Sequence, residues 1–327
     1  MVKSINRNQK DKWEADVKMS VNQYNEWFTQ TAPQEYRAAR SKAITDVEEL
    51  FAATNDMLII SPEVIINNPS ILGTLRMATS PPIARDRLAG LSSVTRQVIS
   101  SLEEGKIPRL APTELDRQLM RICGVLDELL DLTLFDWLDT QCEPTPEQIQ
   151  LAAVVVADRR CGAVANPIIR NAQETRQIAV LEKWLRKRKY RRHQLPNTQS
   201  IREMKPGTYA IHQNVPVFNE TGKQTNMPID LVIQPHNINS SQLPILVEAK
   251  SAGDFTNTNK RRKEEATKMR QLQATYGSEV SLILFLCGYF ESGYLEYEAA
   301  EGIDWVWEHR VQDFEYAGIC SYLDGID

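Results

Sequence analysis

No apolar stretch in the 327-residue sequence approaches the ~20 residues that a membrane-spanning helix needs. The opening MVKSINRNQKDKWEAD lacks the apolar core of a secretory signal, so a cytoplasmic location and no membrane partner are expected. The five cysteines (Cys123, Cys142, Cys161, Cys287 and Cys320) form no CxxC, which fits reduced thiols and excludes the usual zinc spacings. The four histidines (His193, His212, His236 and His309) show no ligand spacing either, which argues against H-N-H or HExxH chemistry. Internal repeats and low-complexity tracts are also missing. Basic excess is absent: the formal net charge is −5, which at first sight opposes a nucleic-acid partner. Charge is unevenly spread, however, and a local basic cleft rather than the sum is what meets phosphate.

The composition, 42% hydrophobic and 25% charged, is that of an ordinary globular protein of one large or two smaller domains. From about Lys10 to Leu138 apolar residues recur at helical spacing, as in Trp13, Val17, Val21, Tyr24, Trp27 and Phe28. Ala32-Pro33 reads as a break between two helices. Ser61-Pro62-Glu63 reads as a cap followed by a first-turn proline. The double proline Pro81-Pro82 interrupts the pattern, with Arg76, Arg85 and Arg87 around it. These arginines either pair with Asp86 and nearby acids in a kinked connection or face DNA, since arginine reads guanine and clamps phosphate. The proline-bearing Glu143-Pro144-Thr145-Pro146 divides a helical region, 1–143, serving DNA contact or dimerisation, from a core, 144–327. In that core a helix over 147–162 precedes a long one opening at Asn166-Pro167. Seven of the eleven residues from Lys183 to His193 are Lys or Arg, more than a helix C-terminus requires.

The centre of the chain carries the chemistry. Ile229-Asp230-Leu231-Val232-Ile233 and Pro244-Ile245-Leu246-Val247-Glu248-Ala249-Lys250 read as two strands of a hairpin. Alternation puts Glu248 and Lys250 on one face, with Asp230 on the neighbouring strand. Two carboxylates make an oxygen cradle for Mg²⁺, and a lysine beside them can hold a water and stabilise charge on a phosphate. A cross-strand charge ladder would look the same in outline. Lys260, Arg261, Arg262 and Lys263 follow in the first turn of a helix, where the helix dipole opposes them, and so point to an outside anion such as DNA. Val280–Leu286 is apolar on both faces, as a covered strand should be. Residues 303–314 have the spacing of a closing helix.

This Asp…Glu-x-Lys pattern resembles the PD-(D/E)xK nucleases. EAKSAGDFTNTNKRRKEEATKMRQL is similar, more narrowly, to the XamI-like type II restriction endonucleases, as are RMATSPPIARDRLAGL (Arg76 to Leu91) and CGAVANPIIRNAQETRQ (Cys161 to Gln177). The resemblance implies an α/β (α+β) fold: a restriction-endonuclease-like mixed sheet core flanked by helices, with an N-terminal all-helical region. It implies Mg²⁺-dependent, sequence-specific hydrolysis of double-stranded DNA by Asp230, Glu248 and Lys250, Asp230 and Glu248 binding the metal. It adds an acidic ligand from the preceding helix, Glu174 rather than Glu182. A homodimer and a cognate DNA methyltransferase, a functional rather than physical partner, are also expected. The rival readings are a PD-(D/E)xK nuclease of repair or recombination, and a DNA-binding protein with a vestigial metal site.

Overall fold

A computed structural model describes residues 4–140, 142–196, 199–218, 222–237, 242–255 and 258–321, the side chains of 258–261 excepted. The helices are α1 (Lys10–Thr54), α2 (Pro62–Asn67), α3 (Leu72–Leu75), α4 (Arg85–Leu91), α5 (Arg96–Glu103), α6 (Pro112–Glu128), α7 (Asp136–Thr140), α8 (Pro146–Lys187), α9 (Thr258–Tyr276) and α10 (Ser292–Ala300). The strands are β1 (Arg191–Arg192), β2 (Thr208–Phe218), β3 (Gln224–Gln234), β4 (Ile245–Ala252), β5 (Ser281–Gly288) and β6 (Asp304–Trp307). The fold is therefore mixed α/β with an N-terminal helical region, consistent with a restriction-endonuclease-like core. No helix among the described residues is long and apolar enough to cross a membrane.

Two compact units result, Ala32–Ile169 and the combination of Met1–Thr31 with Arg170–Asp327. The expected boundary at 143/144 does not coincide with either junction. Pro33 and Pro167, read in the sequence as helix breaks, instead lie inside the continuous helices α1 and α8. Each stands within three residues of a junction between the units, so the prolines punctuate the packing rather than the helices. Burial on both sides of each proline outweighs its cost: Ala32, Ala39, Ala165 and Ile178 are all buried.

The helical unit surrounds one core that includes Leu50, Leu72, Leu88, Leu119, Leu126, Phe135 and Val156. Ser61 caps α2 as its sequence signalled, its hydroxyl accepting from the Val64 N–H at 3.3 Å. In the other unit the sheet runs β1-β2-β3-β4-β5-β6, with β2–β3 and β3–β4 antiparallel and the remaining pairs parallel. Both faces are covered. Ala210, Val232, Leu246, Leu284 and Trp305 belong to one core with Met269 and Leu272 of α9. Tyr209, Leu231, Val247, Phe285 and Val306 belong to the other, with Leu181 and Leu185 of α8.

The expected closing helix over 303–314 is corrected by the structure. Asp304–Trp307 is a strand pairing parallel to β5, followed by a 3₁₀ segment, Glu308–Ala317. Trp305 and Trp307 enter one core and Val306 the other, the period-two arrangement of a strand covered on both faces. In so short a run the apolar spacing suits either element, and pairing with β5 decides between them.

Candidate active site

The site lies where β3 and β4 part. Their antiparallel register runs from Ile233↔Ile245 to Leu231↔Val247 and stops there. One step further the Ala249 N–H donates to the Asp230 carboxylate at 2.9 Å, so a side chain takes up a backbone donor that the ladder no longer serves. On the other side of β3, the pairs Ile211↔Leu231 and Gln213↔Ile229 bracket His212 and Asp230, which therefore face one another. His212 has φ 48°, the left-handed region, in mid-strand. A non-glycine residue there bears roughly 1–2 kcal/mol of strain, and such strain concentrates at functional sites.

Glu174 comes from α8. That helix is fastened to the sheet one turn further on, where the Gln177 amide donates to Phe285 O (3.1 Å) and Lys250 O (3.4 Å). Arg176, between them, forms a two-pronged pair with the buried Glu308 at 2.5 and 2.7 Å. The result is that ligand atoms of Glu174, His212 and Asp230 all lie within 4.8 Å of one another.

Glu248 and Lys250 stand two residues apart on β4, pointing as alternation requires toward the side of α9. Glu248 is 2% exposed, and its two oxygens receive Lys250 (3.2 Å) and Lys268 (2.8 Å). Lys250 in turn reaches Glu265 of α9 at 3.3 Å. Burial alone would pull the Lys250 ammonium down, but Glu248, Glu265 and Asp230 outweigh it and hold it above the usual lysine range. A lysine so held remains a cation. Burial first, then Glu248 and to a lesser extent Glu174, push the Asp230 carboxyl up to about 6, against the Ala249 N–H and Lys250. Two acids and a histidine crowd one spot, with Glu248 held outside it by its two lysines, and a divalent cation would relieve the repulsion between Glu174 and Asp230. The donors fit such an ion: carboxylate oxygens suit Mg²⁺ and Mn²⁺, and an imidazole nitrogen also suits ions such as Fe²⁺ or Zn²⁺.

Of the other sequence candidates, Arg76 is 7% exposed, pairs with Glu103 at 2.6 Å and donates to the Ile83 carbonyl. Arg85 pairs with the other Glu103 oxygen at 2.5 Å. Arg76 is a buried strut of the helical unit, whereas the Arg85 side chain is 41% exposed. Arg87 is exposed, and Asp86 pairs with Arg96. Arg262 lies over the Tyr297 ring at 5.1 Å and Lys263 is exposed. The side chains of Lys260 and Arg261 lie outside the described residues. Glu182 is not in the cradle: it accepts from Tyr209 and pairs with Arg186 and Arg192. Sequence spacing missed His212, Lys268 and Glu265. His212 had no local signal, although its place four residues into a strand opposite Asp230 follows once the register is known.

A strand fork that gathers acids around a histidine, with an anchored lysine alongside, has the equipment of a metal-dependent phosphodiesterase. Comparison makes the class specific: residues 55–307 match the model of the XamI restriction endonuclease family. The chain belongs to the XamI restriction endonuclease family. It is 53% identical over 315 residues to the type II restriction enzyme SalI of Streptomyces albus G, covering 96% of this chain and 99% of that one. Among solved structures, protein VC1899 from Vibrio cholerae aligns over 78% of this chain and 57% of its own. Its identity of 11% and TM-score of 0.29 are too low to bear on the fold.

The Asp230 environment has a measurable consequence. Its folded pKa, about 6, lies above the ordinary 3.8, so the ionised form opposes folding. That cost is absent below about pH 4, grows as pH rises through 6, and reaches about 3 kcal/mol at pH 8. Asp230→Asn should therefore stabilise the metal-free protein by about 1–3 kcal/mol at pH 8 and hardly at all at pH 4. Urea titrations at the two pH values measure this. Equal effects at both would remove the electrostatic account.

Proposed function

We propose that this protein is a type II restriction endonuclease hydrolysing double-stranded DNA at a specific sequence with Mg²⁺. The observation that carries the reading is the convergence of Glu174, His212 and Asp230 beside the Glu248–Lys250 pair. Asp230, Glu174 and His212 would hold the metal, with Glu248 beside them. When bound, Mg²⁺ supplies a Lewis acid for the phosphate and lowers the pKa of water. Lys250, held as an ammonium by Glu248 and Glu265, orients the attacking water and offsets charge developing on the phosphate oxygens. Lys268 neutralises and fixes Glu248. In the reaction water forms a bond to phosphorus and the P–O bond to one sugar breaks, its oxygen leaving with a proton.

DNA contacts are assigned to Arg85, Arg87, Arg262 and Lys263, the exposed or partly exposed members of the basic clusters, and to Lys260 and Arg261 of the same run. Arg76 supports the fold around it. The helical region serves DNA contact or dimerisation, the location is cytoplasmic, and a methyltransferase of the same specificity is the functional partner. The protein should yield discrete fragments from phage DNA in Mg²⁺, their ends mapping to one sequence. A smear or structure-specific cuts would mark a repair or recombination nuclease; salt-dependent binding without cutting would mark a vestigial site.

A palindromic duplex offers two equivalent scissile phosphates, and a twofold dimer places one site at each. Light scattering of the DNA complex in Ca²⁺ should give two chains per duplex. A one-to-one complex that cuts both strands in one encounter would exclude the dimer.

A further inference from the structure

A second basic feature lies away from the acids. At the β1 edge of the sheet a cavity of about 600 Å³ is lined by Lys189, Arg191, Arg192, His193, Lys205 and His236, and no acid lines it. Arg192 is 3.9 Å from Glu182. Lys189, Arg191 and Lys205 have no acid within ion-pair distance among the described residues, and all three are exposed. Four Lys or Arg around one concavity, in a chain of net charge −5, repel each other unless an anion sits among them.

Two ordinary explanations cover only part of this. Cations gather at a helix C-terminus, which accounts for Arg186 and Lys187 at the end of α8. Charges also blunt an edge strand, which accounts for Arg191 and Arg192. Neither predicts that Lys205, from the turn before β2, and His236, from beyond β3, close on the same cavity. The frame is rigid: the Arg191 N–H donates to Gly207 O (2.9 Å), the Gly207 N–H to Gln234 O (3.0 Å), and His236 bonds Arg188 O (3.1 Å). Lys189 has φ 68°, at a helix end where glycine is the cheap choice, so a cation is kept at a position that strains it.

We propose that this cavity binds a backbone phosphate of DNA flanking the cleavage site, a contact that rests on the nuclease reading above. The Thr208↔Gln234 pair at its floor is four residues along β3 from Asp230, ~13 Å at strand rise. That length corresponds to ~4 base pairs of duplex. Several cations around a space this open carry charge without the fixed geometry that base reading needs, which makes the contact sequence-independent.

The test uses the full chain carrying Arg191→Gln and Lys205→Gln, neither of them in the catalytic machinery. The probe is a fluorescein-labelled, mixed-sequence 40-bp duplex in Ca²⁺ over 50–200 mM salt. Loss of that phosphate contact should flatten the slope of log affinity against log salt by ~0.9. The thermal midpoint without DNA should not move, and Arg191→Lys should keep the original slope. An unchanged slope in the double Gln variant overturns the proposal. So does a variant that loses only stabilisation by pyrophosphate, which would mark a site for small anions. Failure of the unaltered protein to bind the duplex would instead bring down the nuclease reading, and this contact with it.

Discussion

Lys250→Ala and Glu248→Ala should each lower the cleavage rate by about 10³-fold or more while the fold persists. Lys250 bridges two buried acids, Glu248 at 3.2 Å and Glu265 at 3.3 Å, beside Asp230. Removing it takes away the positive charge facing the phosphate and leaves buried Glu265 without its ion pair. Glu248 retains Lys268 at 2.8 Å, so the local structure keeps one of its two pairs. Lys250→Arg keeps the charge but not the compact ammonium, and should restore little activity. Single-turnover cleavage with saturating enzyme isolates the chemical step. Binding of specific duplex in Ca²⁺ should survive Lys250→Ala, since the phosphate contacts assigned elsewhere are untouched. Full activity in Glu248→Ala would sink the catalytic assignment. Loss of binding along with cleavage in Lys250→Ala would make the lysine a binding residue instead.

The second large effect is structural. Gly288→Ala should destabilise the protein by about 3 kcal/mol or more. Gly288 ends β5 opposite Ala252, with φ 108°, a conformation that side-chain-bearing residues rarely adopt. A Cβ there would stand 2.1 Å from the Ala252 carbonyl oxygen, a backbone atom that cannot swing aside. That carbonyl accepts from the Tyr289 N–H (2.9 Å), and the Gly288 N–H donates to Ser20 (2.8 Å), so yielding would break further bonds. The displaced strand is β4, two residues past Lys250, and activity should fall with stability. Denaturant unfolding measures the loss. By contrast, a Cβ at Gly293 meets nothing within 4 Å, so Gly293→Ala in α10 is the matched control. Similar midpoints for the two variants would show that β4 and β5 can separate without cost.

The acid behaviour of the site also constrains how activity is assayed. Asp230 must be ionised to hold a cation, and burial with Glu248 pushes its pKa to about 6. Metal binding should therefore weaken as pH falls through 6, and a bound cation should lower that pKa.

Much of this was legible in one dimension. Alternation in Ile245–Lys250 was enough to place Glu248 and Lys250 on one face, and the strand pair containing Asp230 formed in the expected antiparallel sense. Ser61 capped its helix, and the Val280–Leu286 run became the strand Ser281–Gly288, buried on both faces. These depend on local periodicity, which the order of residues encodes directly. Tertiary structure alone decided the rest. His212 reached Asp230 through the β2–β3 register and a left-handed backbone, neither written in the spacing of histidines. Glu265 and Lys268 reached β4 because α9 packs over that face, and Arg76 turned inward because Glu103 is buried beside it. Pro33 and Pro167 left their helices continuous, and Asp304–Trp307 became a strand against β5. In each case the deciding partner is distant in sequence, and a contact energy between distant segments has no local pattern to betray it.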